Sequence, residues 1–234
     1  MAPTIVFVPG FWEGPTVFEE VISLLKPIGF KTQVAALPST GTVSPGNPDM
    51  NDDIAAVRSV VQELVDAEED VLMVLHSGGG FIGTSAIEGL TAKARTEKGL
   101  KGGVAKLVLL TAAIFPEGFT HGPLPFQITQ GGAMYCATPE KLLFNDLSEN
   151  DVEKWKKALK SQPASGWDGT ITYAGWKDVP SVYLVCENDQ CIPQPLQEQL
   201  AGAAGSRIEK CTAGHMVMLS MPRKVADIII SAAA

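Results

Sequence analysis

Charge is sparse in this chain and histidine sparser. Only 19% of its 234 residues are charged and three are histidines. The formal net charge is −8, with no run of like charges and no basic stripe. Such a surface repels phosphate backbones, so nucleic acid is excluded as an expected partner. The four cysteines, Cys136, Cys186, Cys191 and Cys211, lack the paired spacing of a zinc site. The expectation is therefore free, buried thiols in a reducing cytoplasm, with a Cys186–Cys191 bridge left open. No apolar run reaches the ~20 residues of a membrane span. The opening Met1-Ala2-Pro3-Thr4 leads straight into an apolar strand, without the basic segment and cleavage site of a secretory signal. Repeats and low-complexity tracts are missing too.

What is present is a 45% apolar composition, in a chain long enough to bury roughly 70% of its unfolded surface. Short β-branched runs alternate with helical patterns. Strands are expected at Ile5–Val8, Thr32–Ala35, Val71–Leu75, Ala105–Leu110, Val182–Cys186 and Arg207–Lys210. Most are almost continuously apolar, as strands covered on both faces must be. Helices are expected at Val17–Leu25, Asp52–Glu68, Phe81–Glu97, Pro195–Ala203 and Arg223–Ser231, followed by a frayed Ala232–Ala234 tail. This alternation predicts an α/β fold whose mostly parallel sheet has about six strands, with right-handed crossovers. Residues 115–180 break the rhythm: no central strand is apparent, only Gly/Pro-rich loops and helical pieces at Pro139–Phe144 and Glu149–Leu159. A stretch of that length between two strands predicts a functional lid. The expected organisation is a core at 1–114, a lid at 115–180 and the rest of the core at 181–234.

The chemistry centres on Val74-Leu75-His76-Ser77-Gly78-Gly79-Gly80. A buried strand ends, a serine follows, and glycines open a helix. A nucleophile elbow requires small residues where strand and helix backbones converge, and it sets backbone N–H groups at the helix start beside the developing oxyanion. The G-x-S-x-G pattern is incomplete, because Leu75 stands where its first glycine belongs. Gly78, Gly80 and Gly83 also spell the G-x-G-x-x-G of dinucleotide sites. That alternative calls for an acid at the end of the next strand, and Leu109-Leu110-Thr111-Ala112 has none.

A serine hydroxyl needs a base. His76 adjoins Ser77 and points elsewhere, which suits packing, and His121 lies in a Gly/Pro loop suited to the surface. His215 follows the last strand candidate, at the carboxyl edge that carries Ser77, where open α/β sheets bind ligands. Strand Val182–Cys186 runs into Glu187-Asn188-Asp189-Gln190-Cys191-Ile192-Pro193, and Asp189 is favoured over Glu187 as the carboxylate that orients the imidazole. The structural alternatives are a loop histidine and a helix N-cap or turn aspartate. The chain order Ser77, Asp189, His215 is that of the α/β-hydrolase triad. For the oxyanion hole the candidates are the N–H groups of Gly78 and of Phe11, in Pro9-Gly10-Phe11-Trp12. Trp12, Phe126, Met134, Trp155 and Met216 are candidate pocket walls. Tyr135 and Trp167, also in the insertion, could face the pocket or pack its own helices.

On these residues the chain resembles the plant-type methylesterase and hydroxynitrile lyase group of α/β-hydrolases. The resemblance rests on Val6–Leu37, on Leu75–Gly79, on the C-x-x-D-x-x-I-P loop from Cys186 to Pro193, and on Gly214-His215-Met216 through Leu219 and Pro222. It departs from the group at Pro9, where a histidine is usual, at Leu75, where a glycine is usual, and at Gly78, where a bulky residue is usual. Cyanohydrin-cleaving members carry a lysine after the histidine; Met216 occupies that position here, as in the esterase members. The resemblance implies a serine hydrolase acting on a small, largely apolar ester, lactone or thioester, without metal or organic cofactor. A triad-based lyase, cyclase or decarboxylating enzyme, or a ligand receptor on the same fold, are the alternatives.

Overall fold

The computed structural model describes residues 2–234; Met1, the first residue of the expected core segment, lies outside them. Nine strands appear in chain order: β1 Thr4–Val8, β2 Thr32–Val34, β3 Asp70–His76, β4 Gly103–Leu110, β5 Gln127–Gln130, β6 Ala133–Cys136, β7 Gln162–Pro163, β8 Ser181–Cys186 and β9 Arg207–Cys211. The nine α-helices are α1 Glu19–Leu25, α2 Met50–Asp66, α3 Gly79–Ser85, α4 Ala92–Glu97, α5 Pro139–Leu142, α6 Glu149–Ala158, α7 Gln194–Ala203, α8 Val217–Ser220 and α9 Pro222–Ala233.

Six strands form one sheet in the order β2-β1-β3-β4-β8-β9, parallel at every pairing. All six expected strands lie in it, each within two residues of its expected ends. The apolar runs are explained by burial: β1 is buried throughout and β3 from Val71 to His76. Helix α1 packs on α9, and α2 on α3; the β1–β2 crossover carrying α1 runs along the sheet opposite to the crossovers carrying α2 and α3, so the two pairs cover its two faces, α9 joining α1 after the last strand. Truncating a fully buried side chain such as Leu75 to alanine is worth about 2–5 kcal/mol. The chain reverses direction across the sheet between β1 and β3. Open α/β sheets bind ligands outside the carboxyl ends of the strands at such a switch point.

Local chemistry accounts for several boundaries. Helix α2 begins two residues early because Asp49 caps it: its side chain accepts from Asn51 and Asp52 N–H while Asp52 accepts from Asp49 N–H. The single helix expected over Phe81–Glu97 is two, since Gly89 adopts φ 73° and a turn intervenes before α4. The tail expected to fray is helical to Ala233. Residues 115–180 add no strand to the central sheet; instead β5, β6 and β7 make a small antiparallel sheet of their own.

Candidate active site

The end of β3 delivers Ser77 in a left-handed conformation, φ 49°. This costs a non-glycine residue energy and persists where surrounding structure enforces it. Two contacts do so here: Ser77 N–H donates to Leu110 O at 3.3 Å, and Ser77 O accepts from Ala113 N–H at 2.9 Å. The neighbouring glycines are dictated by space. A Cβ on Gly79 would lie 2.5 Å from the Val8 and Pro9 carbonyl oxygens, and one on Gly10 would lie 2.8 Å from Ser77 Cβ. The loop after β1 and the turn after β3 therefore touch through bare backbone. The room left by Gly78 is filled by the Phe11 ring, 3.3 Å from where a Cβ would sit.

From the loop after β8, Asp189 enters fully desolvated. Its Oδ1 accepts from the N–H groups of Cys191 at 2.7 Å and Ile192 at 3.0 Å. Its Oδ2 accepts from His215 Nδ1 at 2.8 Å. Asp189 is 3% exposed and His215 1%. Glu187, the other carboxylate considered, is exposed. Burial works against charge on the His215 imidazole, but the Asp189 carboxylate outweighs it, with Cys191 adding to the effect, and holds His215 well above the ordinary histidine value. Thr111 Oγ1, at φ 39° on the end of β4, also lies 3.3 Å from Nδ1. Buried Gln197 braces the acid loop: its amide donates to Ile192 O at 2.6 Å and Cys186 O at 3.0 Å.

A second buried pair had no signal in the sequence beyond the residues themselves. His76 Nδ1 sits 2.9 Å from Glu13 Oε1 and 3.0 Å from Oε2. On the ring's other side, Nε2 donates to the backbone carbonyl of His215 at 2.9 Å. Glu13 also accepts from Gly10 N–H at 3.0 Å. His76 is thus more than packing: it ties the loop after β1 to the loop carrying His215. Glu13, His76 and His215 have ligand atoms within 4.8 Å of one another, as a metal site would require, yet both His76 nitrogens and His215 Nδ1 already face protein partners. The trio reads as a hydrogen-bond network.

Ser77, Gly78, Phe11, Trp12 and Phe126 line one cavity of about 480 Å³. Three expected wall residues do not. Met134 faces a neighbouring cavity of about 230 Å³, and Trp155 borders an outer groove with Thr16 and Lys154. Met216 is completely buried in the core. Tyr135 points outward at 40% exposure, and Trp167 faces the neighbouring cavity. The walls that sequence reasoning missed include Phe81, Phe115, Cys191 and Leu196. His121, expected at the surface, is buried and lines both cavities. All four cysteines are free, and the thiol nearest Cys186 is Cys211, Sγ to Sγ 3.7 Å across paired strand ends, rather than Cys191.

Residues 5–228 match the family model described as the alpha/beta hydrolase family. Alpha/beta hydrolase nvfD of Aspergillus novofumigatus is 28% identical over 100% of this chain and 97% of its own length. A probable hydrolase, R7, of a Phoma species is 28% identical over 97% of this chain and 96% of its own. Among solved structures, polyneuridine aldehyde esterase superposes with TM-score 0.76 at 20% identity, covering 99% of both chains. The Arabidopsis methylesterase MES16 superposes with TM-score 0.74 at 19% identity, covering 98% of both. These neighbours agree with the plant-methylesterase resemblance in fold. The chain belongs to the alpha/beta hydrolase family, and as such is an enzyme of the hydrolase type.

Proposed function

We propose that the protein is a serine hydrolase that cleaves a small, largely apolar ester, lactone or thioester through an acyl-enzyme. Ser77 is the nucleophile, His215 the general base and then acid, and Asp189 the group that orients and charges-compensates the imidazole. The observation that carries this reading is the desolvated His215–Asp189 contact of 2.8 Å at the sheet edge where Ser77 sits in its strained turn. With its Nδ1 hydrogen given to Asp189, neutral His215 keeps a lone pair at Nε2 for the serine proton. The Ser77 hydroxyl has no protein hydrogen bond among the described residues and lines the cavity; catalytic contacts of this kind tighten when substrate arrives.

Gly78 and Phe11 are the proposed oxyanion donors. Gly78 precedes α3, whose first N–H groups have no partner inside the helix. In the other loop Gly10 N–H is already committed to Glu13, which leaves Phe11 to donate. The cavity wall carries no Asp, Glu, Lys or Arg, so the substrate it fits is neutral and apolar, and residues 115–180, which supply Phe115 and Phe126 to that wall, act as the lid. No cofactor enters the scheme. No helix of the described residues is long and apolar enough to cross a membrane, and four free thiols suit a reducing, cytoplasmic setting.

Turnover of short p-nitrophenyl esters tests the proposal. Ser77→Ala should lose several orders of magnitude in kcat; retained activity would remove the nucleophile. Running the reaction in ¹⁸O-water separates hydrolysis from the lyase and cyclase alternatives, since only hydrolysis places the label in the acid product.

A further inference from the structure

The polar side chains on the wall of the Ser77 cavity are Ser77, Gln190, Cys191, His121 and the Trp12 indole, whose Nε1 donates to Met134 O at 3.1 Å. The first is the proposed nucleophile, Gln190 donates to Asn188 O at 3.1 Å, and Cys191 lies against His215. His121 has no such employment. It comes from the insertion, where Ile171 N–H donates to Phe119 O at 2.8 Å and the Thr120 and Thr170 hydroxyls meet at 3.2 Å, pinning the segment just ahead of it. The imidazole is boxed by aromatics: the Phe81 ring at 5.5 Å, Phe11 edge-on at 5.9 Å and Phe115 at 6.1 Å between centroids.

His121 is 9% exposed; its Nδ1 is enclosed with no hydrogen-bond partner among the described residues, and its Nε2, which is not enclosed, has none there either. Native structures pair nearly all buried polar groups, and an unpaired one calls for an explanation, such as a functional role or a bound water or ion. Burial also lowers the imidazole's affinity for a proton below the ordinary histidine value, so the ring is a neutral hydrogen-bonding group, one nitrogen donating and the other accepting. Because His121 lines both the 480 Å³ cavity and the 230 Å³ cavity beside it, an apolar group seated against Ser77 that extends toward the second cavity passes this ring.

Building on the hydrolase reading above, we propose that His121 is a substrate-recognition residue. It hydrogen-bonds a neutral oxygen, a hydroxyl or a ketone, carried on the apolar body of the substrate away from the scissile carbonyl. The substrate class is thereby an oxygenated hydrophobic ester rather than a plain alkyl ester or one bearing a carboxylate, whose charge no cationic wall residue would meet.

The test uses p-nitrophenyl esters of heptanoic and octanoic acid, too long for a penultimate hydroxyl to close a five- or six-membered lactone, each compared with the same ester bearing a hydroxyl or a ketone on the penultimate carbon. In the wild-type enzyme the best oxygenated ester should exceed its plain parent by about tenfold in kcat/KM, the scale of one buried hydrogen bond. In His121→Phe and His121→Leu the ratio should fall to about one, whatever the absolute rates, and His121→Gln should restore part of it. Binding of the same esters to Ser77→Ala, read by quenching of the intrinsic tryptophan emission, to which Trp12 on the cavity wall contributes, should show the same ratio and its loss in the double variants. That second readout stands if turnover fails, so an error about hydrolysis is told apart from an error about His121. A ratio near one in the wild type, or a ratio unchanged by the three substitutions, would overturn the proposal.

Discussion

The carboxyl edge of the central sheet and the insertion at 115–180 are built on different terms. At the edge, the proposed acid and base are held by buried hydrogen bonds: Asp189 accepts from two backbone N–H groups besides His215, and Glu13 and His76 lock the adjoining loops. The insertion is more unevenly seated. Helices α5 and α6 bury no residue, and Ile128 on β5 stands 51% exposed. It reaches the core through buried apolar side chains such as Phe144, Trp167 and Ile171, and the edge through polar clips, Asn145 Nδ2 donating to Asn188 O at 2.9 Å and Asp146 Oδ2 accepting from Gly214 N–H at 2.6 Å. Under the proposed function the difference is a division of labour: the hydrogen-bonded edge sets the geometry of the chemistry, while the insertion supplies walls that choose the substrate.

That division breaks most visibly at Asp189. Asp189→Asn should cost about three to four orders of magnitude in kcat, measured with a p-nitrophenyl ester, whereas Trp155→Ala on the insertion should leave kcat within about twofold. A large loss at Trp155 would erase the contrast. The pH profile of the wild type sharpens it: His215 must be neutral to accept the serine proton, and Asp189 raises its affinity for protons. The kcat/KM should therefore rise with pH through a midpoint above the ordinary value of 6.5. A midpoint at or below that value would show that the contact does not govern the base.

Glu13→Gln comes next. The amide keeps an acceptor for Gly10 N–H but leaves one oxygen where both carboxylate oxygens now meet His76 Nδ1, and a drop of about tenfold in kcat with little change in KM is expected. A rise in KM alone would mark Glu13 as a pocket residue. Removing the clip with Asp146→Ala should lower kcat about fivefold, and less than Glu13→Gln, because only one N–H of the His215 loop is released.

On turnover the smallest effect is expected at Asp53, far from the cavity in α2. Burial raises its carboxyl from 3.8 to about 6 despite bonds from Ser39 N–H at 2.9 Å and Oγ at 2.6 Å. The folded state thus holds this proton more tightly than the unfolded chain. The stabilisation is complete below about pH 3.8 and is lost as pH rises through about 6, a change of at most about 3 kcal/mol at 1.36 kcal/mol per pH unit. Urea melts of wild type and Asp53→Asn should show the variant gaining relative stability from pH 4 to pH 7, with activity unchanged. A constant difference would refute the assignment.

The six parallel strands and the loops bearing Ser77, Asp189 and His215 were readable because a strand buried on both faces leaves a continuous apolar run, and its carboxyl end is then known. The Glu13–His76 pair was not readable, since no spacing rule couples residues 63 apart; only β1 lying beside β3 brings them together. Helical periodicity ran unbroken across Gly89, hiding the turn that separates α3 from α4. In the insertion, apolar character alone could not say which residues face the cavity. Phe126 does, Met134 faces its neighbour and Trp155 an outer groove. His121 lies in a loop rich in glycine and proline, whose composition suggests the surface, and its burial comes from the aromatic side chains around it.

The most direct measurement is intact-protein mass spectrometry after a fluorophosphonate is mixed with the enzyme, followed by peptide mapping. One adduct per chain on Ser77, formed quickly in the wild type and lost in Ser77→Ala and slowed by orders of magnitude in His215→Ala, is the expected result. Labelling elsewhere, or labelling of Ser77 that is indifferent to His215, would contradict an alcohol activated by that imidazole.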